Sequence, residues 1–291
     1  MRVLSEQPNK KSYQDGNLRL KVFGASFKKS DILNEALNQA RVEETGLQIP
    51  KLLEVKQIDG QWTIVTEFIE GETLESLMAA HPEKMTEYLE QFVALQSEIL
   101  SKRAPLLNRL KDKMNRKIRE SGLDATTRYE LHMRLNGMRE HEKVCHGDFN
   151  PSNVIVTPDG DWYVIDWSHV TQGNASADAA RTYLLFCLNG KEDVAEQYLQ
   201  IFCEKNDIAK QYVRSWMPIV AASQLGKGND LGECALQLTD IGLDVGGNVL
   251  DYFIIYIVTF HFLFLAEDCH SGFIVRRLDV YGQTPFETGT Q

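Results

Sequence analysis

The sequence predicts an α+β fold of two lobes, a small β-rich lobe over residues 1–70 and a larger helical lobe over residues 71–291. Three observations carry this. Strand-like alternation and tight-turn dipeptides fill the first lobe, around one stretch of helical spacing. From Leu74 onward the apolar residues recur at helical intervals. A single core stops growing at about 250–300 residues, so this length favours two parts sharing a cleft.

The elements follow in order. Gln14-Asp15-Gly16-Asn17 is a hairpin signal, with an Asp-Gly turn between extended arms. LRLKVF, residues 18–23, alternates as a strand. Ser30 is expected to cap a helix whose apolar positions are Ile32, Leu33, Ala36, Leu37 and Ala40, closed by Gly46 and Pro50. Residues 52–58 and 62–69 read as two strands around an Asp59-Gly60 turn. Amphipathic helices follow, through Leu74, Leu77 and Met78, then Tyr88, Leu89, Phe92, Leu95 and Ile99. The Lys- and Arg-rich stretch 102–143 reads as helix with a solvated basic face. Two short strands, VIVT and WYVID, flank a Pro158-Asp159-Gly160 turn, and helices resume near residue 176.

Composition narrows the class. A formal net charge of −10 repels nucleic acid and anionic membranes. Five scattered cysteines, none at metal-ligand spacing, argue for reduced thiols and a cytoplasmic protein. The N-terminus lacks the apolar core of a secretory signal. The apolar run 252–266 is shorter than the ~20 residues of a membrane span and reads as a core helix.

The chemistry concentrates at HGDFNPSNVIV, residues 146–156. This polar turn before a short strand presents His146, Asp148 and Asn153 together. Asp166 ends the second strand of the hairpin, so pairing of the two strands gathers Asp148, Asn153 and Asp166 around one volume. Carboxylate and amide oxygens are ligands that Mg²⁺ accepts, with waters and phosphates completing its shell. Phosphoryl transfer needs such a metal site, a carboxylate to orient the attacking hydroxyl and a cation on the phosphates. Lys21, on the strand 18–23, is the candidate cation, and Glu35 on the following helix is its candidate partner.

HGDFNPSN resembles the catalytic loop of the aminoglycoside phosphotransferase and choline kinase family. Asp166 in VIDW is similar to the family's magnesium-binding aspartate. Asp178 in ADAARTYLL is similar to the aspartate that braces the loop. Lys21, Glu35 and TEFIEG (66–71) resemble the phosphate lysine, its glutamate partner and the adenine hinge. H-x-D-x-x-x-x-N arises by chance on the order of once in a hundred chains of this length, and the further matches in order make coincidence remote. The resemblance implies a protein-kinase-like fold and ATP- and Mg-dependent transfer to a small-molecule hydroxyl. It casts Asp148 as catalytic, Asn153 and Asp166 as metal ligands, and Lys21, Glu35, Thr66 and Phe68 as nucleotide-binding residues.

Two departures bear on the alternatives. The segment expected to cover ATP, residues 5–13, has no glycine, and Trp167-Ser168 follows Asp166 where protein kinases have Phe-Gly. The second departure disfavours a protein kinase. A pseudokinase is disfavoured by the intact Asp148, Asn153 and Asp166. His146 reads as a structural histidine under the loop, and His169 and His270 are assigned nothing. Residues 228–275 contain no Lys or Arg and seven acids, Asp240 and Asp244 among them. As an acceptor rim they would favour an aminoglycoside-like or amino-alcohol acceptor, and otherwise they form a solvated surface.

Overall fold

The computed structural model describes residues 1–224. The apolar run 252–266 and the acidic stretch 228–275 lie outside the described residues. Five antiparallel strands open the chain: β1 (Arg2–Gln7), β2 (Lys10–Asp15), β3 (Leu18–Phe23), β4 (Leu52–Ile58) and β5 (Gln61–Glu67). Their order in the sheet is β1-β2-β3-β5-β4. Both hairpin turns use positive φ. Asp59 and Gly60 have φ of 49° and 79° between the paired Ile58 and Gln61. At the first turn the pairing of Asp15 with Leu18 makes Gly16-Asn17 the loop, one residue later than expected, with Gly16 at φ 57°. The segment 5–13 is itself a hairpin, Gln7 pairing with Lys10.

Helix α1 (Lys29–Glu43) packs on this sheet, and Ile32 and Ala36 meet Phe23 and Ile64 in a small apolar core. Two expectations are corrected here. The helix starts before Ser30, because the Lys28 carbonyl accepts from the Asp31 and Ile32 amides, and no side chain caps it. Leu33 and Leu37 are exposed, and Gln39 and Val42 complete the buried face instead. The closing signal holds, with Gly46 at φ 73° donating to the Glu43 carbonyl.

After β6 (Glu72–Thr73) the chain is largely helical: α2 (Leu74–Ala80), α3 (Met85–Ser101), α4 (Leu110–Glu120) and α5 (Ala125–Gly137). Then come the short strands β7 (Lys143–Cys145), β8 (Val154–Val156), β9 (Trp162–Val164) and β10 (Thr171–Gly173). The helices α6 (Ala175–Leu188), α7 (Glu192–Asn206), α8 (Lys210–Arg214) and α9 (Met217–Ala222) complete the described chain. Strands β8 and β9 pair as the expected hairpin, with Val154 opposite Val164. Packing of α3 against α6 and α7 forms the main core, where Phe92 stacks on Phe149 at 4.3 Å between centroids and meets Tyr198 and Phe186 edge-on. Phe149 lies inside the polar turn 146–153, so the core anchors that turn directly. Cys145, Cys187 and Cys203 are buried free thiols. No helix among the described residues is long and apolar enough to cross a membrane.

Candidate active site

The turn 146–153 is held from below by its own backbone. His146 is fully buried; its Nδ1 accepts from the Asp148 amide at 3.2 Å and its Nε2 faces the Ile165 carbonyl at 3.1 Å. An N–H at Nε2 satisfies both contacts, which makes this histidine a neutral structural strut between the two strands. Gly147 has φ 79°, and a Cβ there would stand 2.5 Å from the His169 carbonyl oxygen, so only glycine fits. The Gly147 amide donates to Asp178 Oδ1 at 2.7 Å, and Gln96 holds Oδ2 at 3.1 Å. Burial raises the Asp178 pKa, and the Gly147 hydrogen bond opposes that rise. Thr182, one helical turn on, donates to the Phe149 carbonyl at 2.7 Å.

On this base the candidate side chains Asp148, Asn153 and Arg181 converge. Asn153 Nδ2 donates to the Asp148 carbonyl at 2.9 Å and to its carboxylate at 3.2 Å, leaving the amide oxygen for another partner. Asn150 donates to the same carbonyl at 2.9 Å and caps the short helical turn at Pro151–Asn153. Arg181 Nη2 donates to Asp148 Oδ1 at 3.1 Å. The Asp148 carboxylate is therefore gripped on both oxygens, its orientation fixed before any substrate arrives.

Asp166 adopts a left-handed backbone, φ 62° and ψ 63°, which turns its side chain out of β9 toward the sheet. There Lys21 bridges the two parts of the chain: its Nζ lies 3.1 Å from Asp166 Oδ1 and forms an ion pair with Glu35. Lys21 is buried, 5% exposed. Burial alone would raise the Asp166 pKa, but the charges of Lys21 and Lys10 and a hydrogen bond from Ser168 hold it well below the usual carboxylate range. Asp166 thus stays ionised. Arg19, Lys21, Glu35, Thr66 and Asp166 line one narrow cavity between sheet and helical part. A larger cavity of about 440 Å³, between Arg109, Arg139 and Trp216, contains none of the expected site residues.

The adenine-hinge expectation needs correction at Phe68. Its amide donates to the Asn17 carbonyl at 2.9 Å and is not free to meet a base. Thr66 is paired within the sheet, and the Glu67 amide donates to Lys51. Among the described residues the Ile69 amide has no such partner, which moves the open backbone edge on by one residue.

Four basic residues near the site were not anticipated. Lys10 lies at the start of β2, where Lys21, Asp166 and Glu35 all act on its charge. Arg181 stands three residues after Asp178, on the same face of α6. Lys113 and Lys117 of α4 belong to the stretch read as a solvated basic face. Both are half-buried beside the turn 146–153, and Lys113 Nζ donates to the His169 carbonyl at 2.7 Å. The apolar residues Met114 and Ile118 on adjacent positions carried that signal, since they fix which face of α4 is inward.

The model of the phosphotransferase enzyme family matches residues 12–214. A search of curated proteins finds no match. Among solved structures, aminoglycoside phosphotransferase APH(4)-Ia is 18% identical, with a TM-score of 0.63 over 84% of this chain and 93% of that one. Choline kinase LicA from Streptococcus pneumoniae is also 18% identical, with a TM-score of 0.57 over 84% of this chain and 94% of that one. Aminoglycoside-3'-phosphotransferase of type VIII is 16% identical, with a TM-score of 0.59 over 76% and 92%. At these identities the structures establish the shared protein-kinase-like fold, and the family match covers the sheet, the catalytic turn and α6 together. The chain belongs to the phosphotransferase enzyme family.

Proposed function

We propose that this phosphotransferase moves the γ-phosphate of ATP to a hydroxyl of a small molecule, with magnesium. The observation that carries the reading is the joining of Lys21 and Glu35 to Asp166, whose neighbour Ile165 donates to the carbonyl of Asn153, itself bonded to Asp148. In this reading Asp148 accepts a hydrogen bond from the acceptor hydroxyl and takes up its proton as the O–P bond forms. Arg181 and Asn153 fix the carboxylate for that task. Lys21 and Lys10 contact the phosphates, and Glu35 positions Lys21. The Glu67 carbonyl and Ile69 amide replace Thr66 and Phe68 as the polar edge toward adenine. The division into lobes at residues 70 and 71 is part of the same reading.

The magnesium part rests on donor chemistry. Asn153 offers an amide oxygen while its nitrogen is engaged, and Asp166 an ionised carboxylate. One amide and one carboxylate suit a metal that keeps waters and substrate phosphates in its shell. Held by Asn153 and Asp166, Mg²⁺ would neutralise charge on the transferring phosphates. A solved APH(4)-Ia complex holds ADP and hygromycin B, and another holds AMP-PNP, which supports nucleotide use here.

A second reading of the acceptor, an aminoglycoside-like or amino-alcohol compound, rests on those relatives' names and on the acids of residues 228–275. Both readings are tested by an acceptor panel scored by ADP release, with magnesium and with EDTA. Magnesium-dependent ADP release with a small alcohol supports the proposal. Release with a peptide alone, or with none of the classes, points to a protein kinase or a pseudokinase.

A further inference from the structure

We propose that the acceptor of this enzyme is an anion, a small molecule bearing a carboxylate or phosphate group close to the hydroxyl that is phosphorylated, and that Lys113, Lys117 and Arg181 receive that group. This rests on the phosphotransferase reading and names the acceptor class for the same site.

The geometry points there from several sides. Lys113 and Lys117 sit one helical turn apart on α4, so their side chains share one face, while Arg116 is exposed. Across a small cavity of about 50 Å³ that face looks onto α6 and the turn 146–153, with Lys113, Lys117, Arg181, Asp178, Gly147 and His169 in its lining. The volume suits a head group of a few non-hydrogen atoms. Arg181 connects cavity and chemistry, since its Nη2 is bonded to Asp148. Its Nε is buried with no hydrogen-bond partner among the described residues. A buried guanidinium N–H left open is costly, and an anion in the cavity would satisfy it.

Bases outnumber acids among the described residues here. Lys117, Arg116 and Arg181 act on Lys113 as repelling charges, Asp148 opposes them, and Asp178 is the other acid of the cavity wall. Burial first, then this repulsion, holds the Lys113 pKa down to about 7. His169 on the opposite wall is held to about 4 by burial and by Lys113, so it adds no positive charge at neutral pH. Asp148 and Asp178 are both engaged by the protein, through Arg181 and through Gly147 and Gln96, so the cations that crowd this wall keep donors for an anion. The other cavity beside Asp148 differs: its Lys191 and Glu75 pair with each other at 3.7 Å and cancel. An ammonium group would meet repulsion in the cavity by α4. An aminated acceptor is disfavoured by these cations, its case depending on residues 228–275.

The test uses the full-length chain saturated with Mg-AMP-PNP, so that the γ-phosphate position is filled. Inorganic phosphate and, separately, ethanolamine are titrated by calorimetry at fixed ionic strength. Phosphate is expected to bind, and the Lys113→Gln/Lys117→Gln double variant to weaken it by roughly tenfold or more. Mg-AMP-PNP affinity should stay within about twofold, because these lysines serve the acceptor side. If the double variant fails to fold, Lys117→Gln alone is expected to weaken phosphate by severalfold. The inference is overturned if phosphate does not bind the loaded enzyme, if it binds the lysine variants equally well, or if ethanolamine binds the wild type more tightly than phosphate. Failure of Mg-AMP-PNP itself to bind, seen before phosphate is added, overturns the kinase reading instead.

Discussion

Lys21 Nζ reaches Asp166 Oδ1 at 3.1 Å across 145 residues of sequence, joining the N-terminal sheet to the end of the β8–β9 hairpin. The same ammonium holds Glu35 of α1. One buried cation thus balances two acids from different elements, and breaking the pair leaves charges without partners. Lys21→Met is expected to weaken AMP-PNP binding by about tenfold to a hundredfold. Glu35→Gln keeps a neutral acceptor for Lys21 and should cost less. Calorimetry with AMP-PNP checks the order. Equal affinities in wild type and Lys21→Met would remove Lys21 from the nucleotide site.

Asp178 supports the catalytic turn from beneath, through Gly147, and Gln96 supports Asp178. Asp178→Ala leaves two buried donors without acceptors, an expected loss of about 2–4 kcal/mol. Urea denaturation should show a lower midpoint with an unchanged slope. Turnover should fall beyond the unfolded fraction, because Gly147 is next to Asp148. An unchanged midpoint would mean that the turn does not depend on this brace.

Gly147→Ala probes the close approach to His169. The φ of 79° and the 2.5 Å clash both oppose a methyl group. The expected destabilisation is about 1–3 kcal/mol, with the catalytic turn displaced. Gly160, at φ 89° with open space around it, serves as control, and alanine there should cost only the backbone strain.

The titration of Lys113 gives a sign that can be checked without a substrate. Its folded pKa of about 7 lies below the ordinary 10.5, so the folded state binds fewer protons between those values. Stability then rises with pH across that window. Below about pH 7 both states carry the charge and the penalty is full; above about 10.5 neither does and it is gone. The titratable and charged groups around Lys113 among the described residues are Lys117, Arg116, Arg181, Asp148, Asp178 and His169. Lys113→Met should therefore melt higher than wild type at pH 7, with the gap closing toward pH 10. Parallel melting curves across this range would place Lys113 in water.

How much of this was legible in sequence follows from where the partners lie along the chain. Asp148 and Asn153 sit in one turn, and the hairpin spacing brings Asp166 beside them. Lys21 and Glu35 lie on consecutive elements, so strand and helix periodicity put them on facing surfaces. Arg181 was not legible, since its bond to Asp148 depends on how α6 docks 33 residues later. Lys113 and Lys117 looked like solvent charges because composition alone does not say which side of α4 packs inward. Phe68 failed for a related reason, its amide being taken by Asn17 from a turn 51 residues earlier, at the end of a pairing register no local pattern fixes. Ser30 failed on local grounds, a backbone carbonyl having done the work of a cap.

The most direct test of the central claim is ADP release by Asp148→Asn against wild type, at saturating ATP, magnesium and the acceptor found by the panel. The variant keeps the shape of Asp148 but cannot take up a proton. Its turnover is predicted to fall by about 10²–10⁴-fold while Mg-AMP-PNP binding and melting temperature stay near wild type. Wild-type turnover in a folded Asp148→Asn protein would contradict the account.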